Sequence, residues 1–436
     1  MKHPRFLHNS NGFWFIVWCM LASFGAYFCM YAFRKPFNTG LYEGFELWGI
    51  GYKTVLIISQ VAGYMISKFL GIKIISELRA SQRIRLIVGL ILFAEGALFG
   101  FGLVPFPFNF VFLFFNGLPL GMVWGVVFSF LEGRRFTEII SFGLTISLIV
   151  ASGMLKTVYL EVHALFPLIS EFWMPFVMGL MFLPLFCFFV WMLSVIPVPS
   201  QEDKLLREER VPMSRKDKML ALKEYGFGLA CLVIIYSMLA TLRDFRDNFS
   251  VEIWNEIATH WNSAVFSQTE MISGVIVLLA VGSISAFKSN IRAFWATIAL
   301  IAFGILSSGL STLLFQWGLL SPFLWMLFLG TGLFLAYIPM QIALFERMIA
   351  TFRIKSNAGF FVYICDSIGY LGSVILLLYK EFFSKSLHWS AVMIKFSYLT
   401  TFISIVLMLG VYVFFHRKLK PHISSPPSAK PVESFN

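Results

Sequence analysis

Charge is what this sequence is short of. Of its 436 residues only 13% are Asp, Glu, Lys or Arg, against roughly 25% in soluble domains. A globule of this length could not cover its surface with so few charges, which excludes a secreted factor, an ordinary cytosolic enzyme and a disordered scaffold. Cysteine is scarce as well. Cys19, Cys29, Cys187, Cys231 and Cys365 all lie in apolar runs without a CxxC or a neighbouring His, so neither a disulfide framework nor a zinc site is indicated. His3, His8, His163, His260, His388, His416 and His422 fall singly in tails and loops. With no HExxH and no Gly-rich nucleotide loop, no metal or other cofactor is called for, and the protein reads as a non-enzyme. What is abundant is apolar surface: 58% of the chain without counting its 32 glycines, against roughly 45–50% with glycine included in ordinary proteins. The bilayer is its solvent.

A helix needs about 20 mainly apolar residues to cross the hydrocarbon layer. Runs of that length predict twelve spans, near 12–35, 51–72, 85–104, 108–131, 139–160, 173–196, 225–247, 265–287, 291–314, 321–345, 357–380 and 391–415. Transmembrane strands would be shorter and alternate in polarity, which rules out a β-barrel. With the N-terminus in the cytoplasm, most of the 34 Lys and Arg residues fall on the inner side, seven of them between Lys204 and Lys223. That asymmetry predicts both termini inside a cell membrane, plasma or bacterial inner, and accounts for the net charge of +11 without nucleic acid. The first span has no small-residue cleavage site after it and reads as an anchor.

The longest polar stretch, Pro197 to Glu224, divides the spans six and six, and 201–210 within it has the charge pairing of a membrane-surface helix. Around it the chain repeats. Gly117, Leu118, Leu120 and Gly121, followed by Glu132 and Arg134, recur as Gly332, Leu333, Leu335 and Ala336, followed by Glu346 and Arg347; Gly143 and Gly153 recur as Gly359 and Gly369. The nearly constant offset indicates a duplicated six-helix unit. The expected organisation is therefore an all-α integral membrane protein with two pseudo-symmetric bundles, 1–196 and 225–416, a cytoplasmic linker at 197–224 and a cytoplasmic tail at 417–436. It resembles the major facilitator superfamily, in which two such halves rock around a central cavity to move a solute, and a monomer is expected.

An ionisable side chain in mid-span costs about 2.5–3.5 kcal/mol on insertion scales, so each survivor calls for a partner, a watery cavity or a route to the interface. Arg34 and Arg243 lie toward the outer ends of the first and seventh spans at nearly the repeat offset. Two guanidinium forks brought face to face would repel unless a dianion sat between them, which predicts an anionic substrate. The alternative is that both snorkel to the outer headgroups. Lys68, with Tyr64 and Ser67 close by, either faces the cavity or snorkels inward, and Lys156 has the same two readings toward the outer side. Glu95 and Asp366 are either proton-coupling carboxyls or members of structural pairs. Glu132, Arg134, Glu346 and Arg347 read as a cytoplasmic gate between the halves or as plain positive-inside anchors.

AlaPheArgLysProPhe at 32–37 after Tyr31, TyrMetIleSerLysPheLeuGly at 64–71, GlyMetValTrp at 121–124, LeuArg at 242–243 with Asp247 a turn later, and GlyTyrLeuGly at 369–372 together resemble the organophosphate to inorganic phosphate antiporters, the family of the glycerol-3-phosphate and hexose-phosphate carriers. The resemblance implies that Arg34 and Arg243 hold a phosphoryl group, that Lys68 adds charge, and that Tyr31, Tyr64 and Trp124 belong to the binding site. The chain also departs from that family. No histidine lies between Ser141 and Gly153, where Ser147 stands near the expected place, and SerGluLeuArg at 76–79 replaces the usual AspArg. The function expected is secondary transport of a small organic anion by exchange or with protons, its partners being that anion and the bilayer. A transporter-like sensor of a phosphorylated ligand and a polytopic enzyme are the alternatives.

Overall fold

Apolar runs that satisfy every backbone donor and acceptor internally can only be helices in lipid, and helices are what form. The computed structural model describes residues 12–76, 78–131, 137–197, 215–352, 354, 358–383 and 388–424. The long helices are α1 (Phe13–Ala32), α2 (Tyr52–Ser76), α3 (Arg83–Leu103), α4 (Phe110–Leu131), α5 (Thr137–Leu165), α6 (Met174–Ser194), α7 (Arg215–Asn248), α8 (Ala264–Ser285), α9 (Asn290–Gln316), α10 (Pro322–Phe352), α11 (Ala358–Phe383) and α12 (Trp389–Ser424). Eleven of these, among the described residues, are long and apolar enough to cross a membrane. The place of the remaining expected span, 357–380, is filled by α11, whose 26 residues reach about 39 Å at 1.5 Å per residue.

Helix ends depart from the sequence reading where charge and helix propensity disagree. The seventh span begins ten residues before the expected 225, because Arg215–Glu224 is rich in Lys, Leu, Met, Ala and Glu, strong helix formers that carry the helix past the hydrocarbon. Likewise α12 runs on through Arg417, Lys418, Leu419 and Lys420, all good helix formers, and ends at Ser424, in the stretch expected to be tail. The expected surface helix at 201–210 lies outside the described residues. Two small elements were not legible. Residues Glu46–Leu47 and Ile50–Gly51 pair antiparallel around Trp48 and Gly49, both at positive φ, as a two-residue hairpin turn requires. A short helix, Ser250–Ile257, follows α7.

Within the first half α1 packs on α5 and α6, α2 on α4, and α3 on α4 and α6; within the second, α7 packs on α11 and α12, α9 on α10 and α12, and α8 on α10. The halves meet along α5–α8 and α2–α11. One buried apolar cluster draws only on residues between Phe15 and Ile196. The other fills the second half and reaches into the first through Phe37, Tyr42, Tyr52 and their neighbours at the α1–α2 loop. Small residues set the closest approaches, as they do between membrane helices generally. A Cβ on Gly117 of α4 would strike the Gln60 carbonyl of α2, and one on Gly153 of α5 would strike the Phe266 carbonyl of α8 across the halves.

Candidate functional site

The last carbonyls of a helix have no partner inside it. At the end of α1 two buried amides supply them. Asn116 Nδ2 of α4 donates to the Phe33 carbonyl at 3.0 Å and to that of Ala94 at 3.1 Å. Gln60 Nε2 of α2 donates to the Arg34 carbonyl at 2.9 Å and to Asn116 Oδ1 at 2.7 Å. Arg34, one residue past the α1 cap, is thereby fixed with its guanidinium carbon 3.9 Å from the centre of the Tyr64 ring and 5.8 Å from that of Tyr31. Its buried Nε has no hydrogen-bond partner, and no carboxylate pairs with it among the described residues.

Arg243 on α7 stacks in a matching way, 4.2 Å from the centre of the Tyr337 ring of α10. Unlike Arg34 it has an acid. Asp244 Oδ1 accepts from its Nη2 at 2.7 Å and its Nε at 3.1 Å, and Asp244 Oδ2 accepts from Ser373 of α11 at 3.0 Å. Lys68 of α2 pairs with Asp366 of α11 across the halves, between the rings of Tyr64 and Tyr370. Asp366 also accepts from Tyr236 at 2.5 Å, and Tyr236 meets Tyr337 hydroxyl to hydroxyl at 2.8 Å. Tyr31 and Tyr370 each stand within electrostatic range of both arginines. The structure thus gathers Arg34, Arg243, Lys68, Tyr31, Tyr64 and Asp366 into one cluster walled by phenols. The side chains of Lys68 and Arg243 are each 21% exposed in it.

Lys156 goes elsewhere. It is buried and donates to Asp247 Oδ1 at 2.6 Å and to the Asp247 carbonyl at 2.6 Å, while Lys35 holds Asp247 Oδ2 at 2.5 Å and Ser152 donates to Oδ1 at 2.5 Å. Asn248 accepts from Asn38 at 2.7 Å and from Lys35 at 3.2 Å. Lys53 pairs with Glu252 at 2.5 Å; burial raises the Glu252 carboxyl above its usual range and Lys53 pulls it back. Thr54 donates to Glu381 at 2.8 Å, Thr157 to the Ser263 carbonyl at 2.7 Å, and the Gly153 N–H to Glu270. Every one of these bonds crosses from the first half to the second at the end of the bundle where α1 runs into α2. They form a latch.

Other expected residues are placed apart from the cluster. Trp124 stacks on Phe128 of its own helix, ring centres 5.0 Å apart, and is partly exposed. Glu95 is buried on α3 against Gly179 of α6, neither carboxyl oxygen having a hydrogen-bond partner. Ser147 donates to the Leu144 carbonyl of its own helix at 2.6 Å. Of the expected cytoplasmic gate, Glu132 and Arg134 lie outside the described residues; Arg347 donates to Asn290 of α9 at 2.8 Å, within its own half, and Glu346 is exposed beside it.

Gln60, Asn116, Tyr236, Tyr337, Asp244, Lys35 and Glu270 were not singled out from sequence as members of a site. Lys35 and Asp244 were signalled only by following the two arginines directly. The amides and phenols gave no signal, because one Asn or Tyr in an apolar helix looks like any other until its neighbours are known.

Several solved transporters have a similar architecture. The nucleoside transporter NupG is 14% identical, with a TM-score of 0.58 over 92% of this chain and 98% of that one. A bacterial homolog to the human lysosomal transporter Spinster, inward-facing and unoccupied, is 12% identical, with a TM-score of 0.61 over 96% and 100%. The D-xylose-proton symporter is 14% identical, with a TM-score of 0.58 over 92% and 97%. At such identities the likeness defines the fold, and the fold is that of the major facilitator proteins, multi-pass in the membrane. Residues 36–418 match DUF5690, described as a family of unknown function, and the chain belongs to that family. No curated protein matches it.

Proposed function

We propose that this protein is a secondary transporter that carries a small organic anion through the central cluster by alternating access, in a cell membrane with both termini cytoplasmic. The single observation behind this reading is Arg34. A guanidinium inside a membrane bundle, clamped by its backbone, stacked on Tyr64 and lacking any acid among the described residues, is costly unless an anion completes it. Arg243 and Lys68 stand by, and the phenols supply hydrogen bonds and flat apolar faces. The anionic group is a carboxylate or a phosphoryl group.

In this reading the latch closes the outer face, and Lys68–Asp366 is the tie between the halves that an arriving ligand loosens. An anion that draws Lys68 to itself frees α2 from α11 at the depth where it is bound, which is how occupancy is coupled to rocking. Exchange follows if only the filled site closes; proton coupling follows if Asp366 takes up a proton when Lys68 leaves it.

The test is uptake and counterflow of labelled monocarboxylates, phosphate and sugar phosphates in proteoliposomes, with Arg34→Lys beside the parent protein. Lysine keeps the charge and loses the planar fork, so flux of the transported anion is expected to fall by about 10²-fold or more, the effect of misplacing one binding group. Flux of an anion that Arg34→Lys and Arg34→Gln leave unchanged would falsify the assignment of Arg34.

A further inference from the structure

The two halves diverge in charge at the residue that follows each arginine. Arg34 is followed by Lys35 and Arg243 by Asp244. We propose that Asp244 is a built-in counter-anion that restricts the central site to ligands bearing a single negative charge, taken at Arg34. The inference rests on the anion-carrier reading above and narrows its substrate class.

Geometry gives Asp244 the part of a substrate oxygen. Its Oδ1 receives Nε and Nη2 of Arg243, the same edge of the fork that a carboxylate or phosphoryl oxygen would occupy, and Oδ2 is fixed from the opposite helix by Ser373. Arg34 has the same stacking on a tyrosine but an open fork. The third cation, Lys68, already holds Asp366. Three cations therefore meet two carboxylates in the cluster, and one positive charge awaits a ligand. Outside the cluster, Lys35 and Lys156 share the single carboxylate of Asp247 in the latch, their remaining contacts being Asn248 and a backbone carbonyl.

A monoanion at Arg34 leaves every charge in the cluster matched. A dianion must either expel Asp244 from Arg243 or bring a second negative charge up against it in surroundings of low dielectric, where an unmatched charge is expensive. Selection by an in-place repulsive group is a recognised way of excluding a competitor. By this argument monocarboxylates of hydroxylated or aromatic body, which the tyrosine walls can line, are favoured over phosphomonoesters.

The experiment uses the purified full chain in detergent at mildly alkaline pH, its thermal unfolding midpoint titrated with two matched pairs of probes, glycerate with glycerol phosphate and benzoate with terephthalate. In the parent protein the monoanion of each pair is expected to stabilise at a concentration about tenfold or more below the dianion, the scale of one like-charge encounter. Asp244→Asn and, as a smaller second replacement, Asp244→Ser should reverse or abolish the preference by freeing the Arg243 fork. A parent that prefers dianions, or a preference that both Asp244 variants retain, overturns the role of Asp244 while anion binding stands. Absence of stabilisation by any probe in the parent and in both variants overturns the anion site itself, and the valence rule with it.

Discussion

Arg34 keeps its charge available because amides, not acids, hold it in place. Asn116 and Gln60 satisfy the carbonyls at the end of α1 and contribute no counter-charge, so the guanidinium is positioned without being neutralised. Asn116→Ala and Asn116→Asp both remove the Nδ2 donor and leave buried carbonyls unsatisfied at about 1–3 kcal/mol. Each should lower the unfolding midpoint by several degrees and weaken substrate affinity, read as a raised KM, while Asn116→Gln restores part of the latter. Equal loss in all three, with KM unchanged, would assign Asn116 to stability alone. Sequence reading found Arg34, Arg243, Lys68 and Asp366 but neither Asp244 nor the amide supports, since a lone ionisable residue in an apolar run stands out by composition and an amide does not. It also drew in Trp124, which shares a motif with the cluster but turns to Phe128.

Among the helices, α5 and α7 carry the latch. Asp247 is held by Lys35, Lys156 and Ser152, three residues of the opposite half. Removing one member of a buried ion pair costs about 3–5 kcal/mol because it strands the other charge. Asp247→Asn strands two ammonium groups, so the latched state should lose population. A cysteine placed at Thr157, beside Ser263 across the α5–α8 contact, should then react several-fold faster with a membrane-impermeant maleimide than in the Asp247 parent. Adding Lys156→Met to Asp247→Asn should recover part of the protection. No change in reactivity would mean that the contacts around Gly153 hold this end shut without the charges. Gly153→Leu supplies the complementary measurement: its side chain would drive α8 from α5 at the Phe266 carbonyl, and transport should fall with every charge still present. In α10, Pro339 has no N–H to continue the ladder, and the helix widens into a π turn at Met340–Leu344 just after Tyr337. The wall of the cluster therefore ends where its helix is least regular.

For the whole molecule, the fold fixes which loops share a side but not which side faces the cytoplasm; the Lys and Arg distribution is the argument for the proposed orientation. Leu168, fully exposed between α5 and α6, and Met219, exposed on the polar extension of α7, belong to opposite ends. In intact cells Leu168→Cys should be labelled by the impermeant maleimide and Met219→Cys only after permeabilisation. The reverse pattern would turn the latch to the inside.

The order of the twelve long helices and eleven of the spans follow from the sequence alone, because hydrocarbon allows only helices of a given length and the chain marks each of these eleven by its apolar run. Helix ends were the weakest part of that reading, since α7 and α12 continue through charged residues that favour helix once outside the lipid. Which charges answer which was decided only by packing. Arg34 and Arg243 look alike in the sequence, yet one is open and the other is closed by its own neighbour. Lys68 and Lys156 look alike too, yet one joins the cluster and the other the latch. Ion pairs depend on distances of a few ångströms between residues some hundreds apart in the chain, and those distances exist only after the two halves have come together.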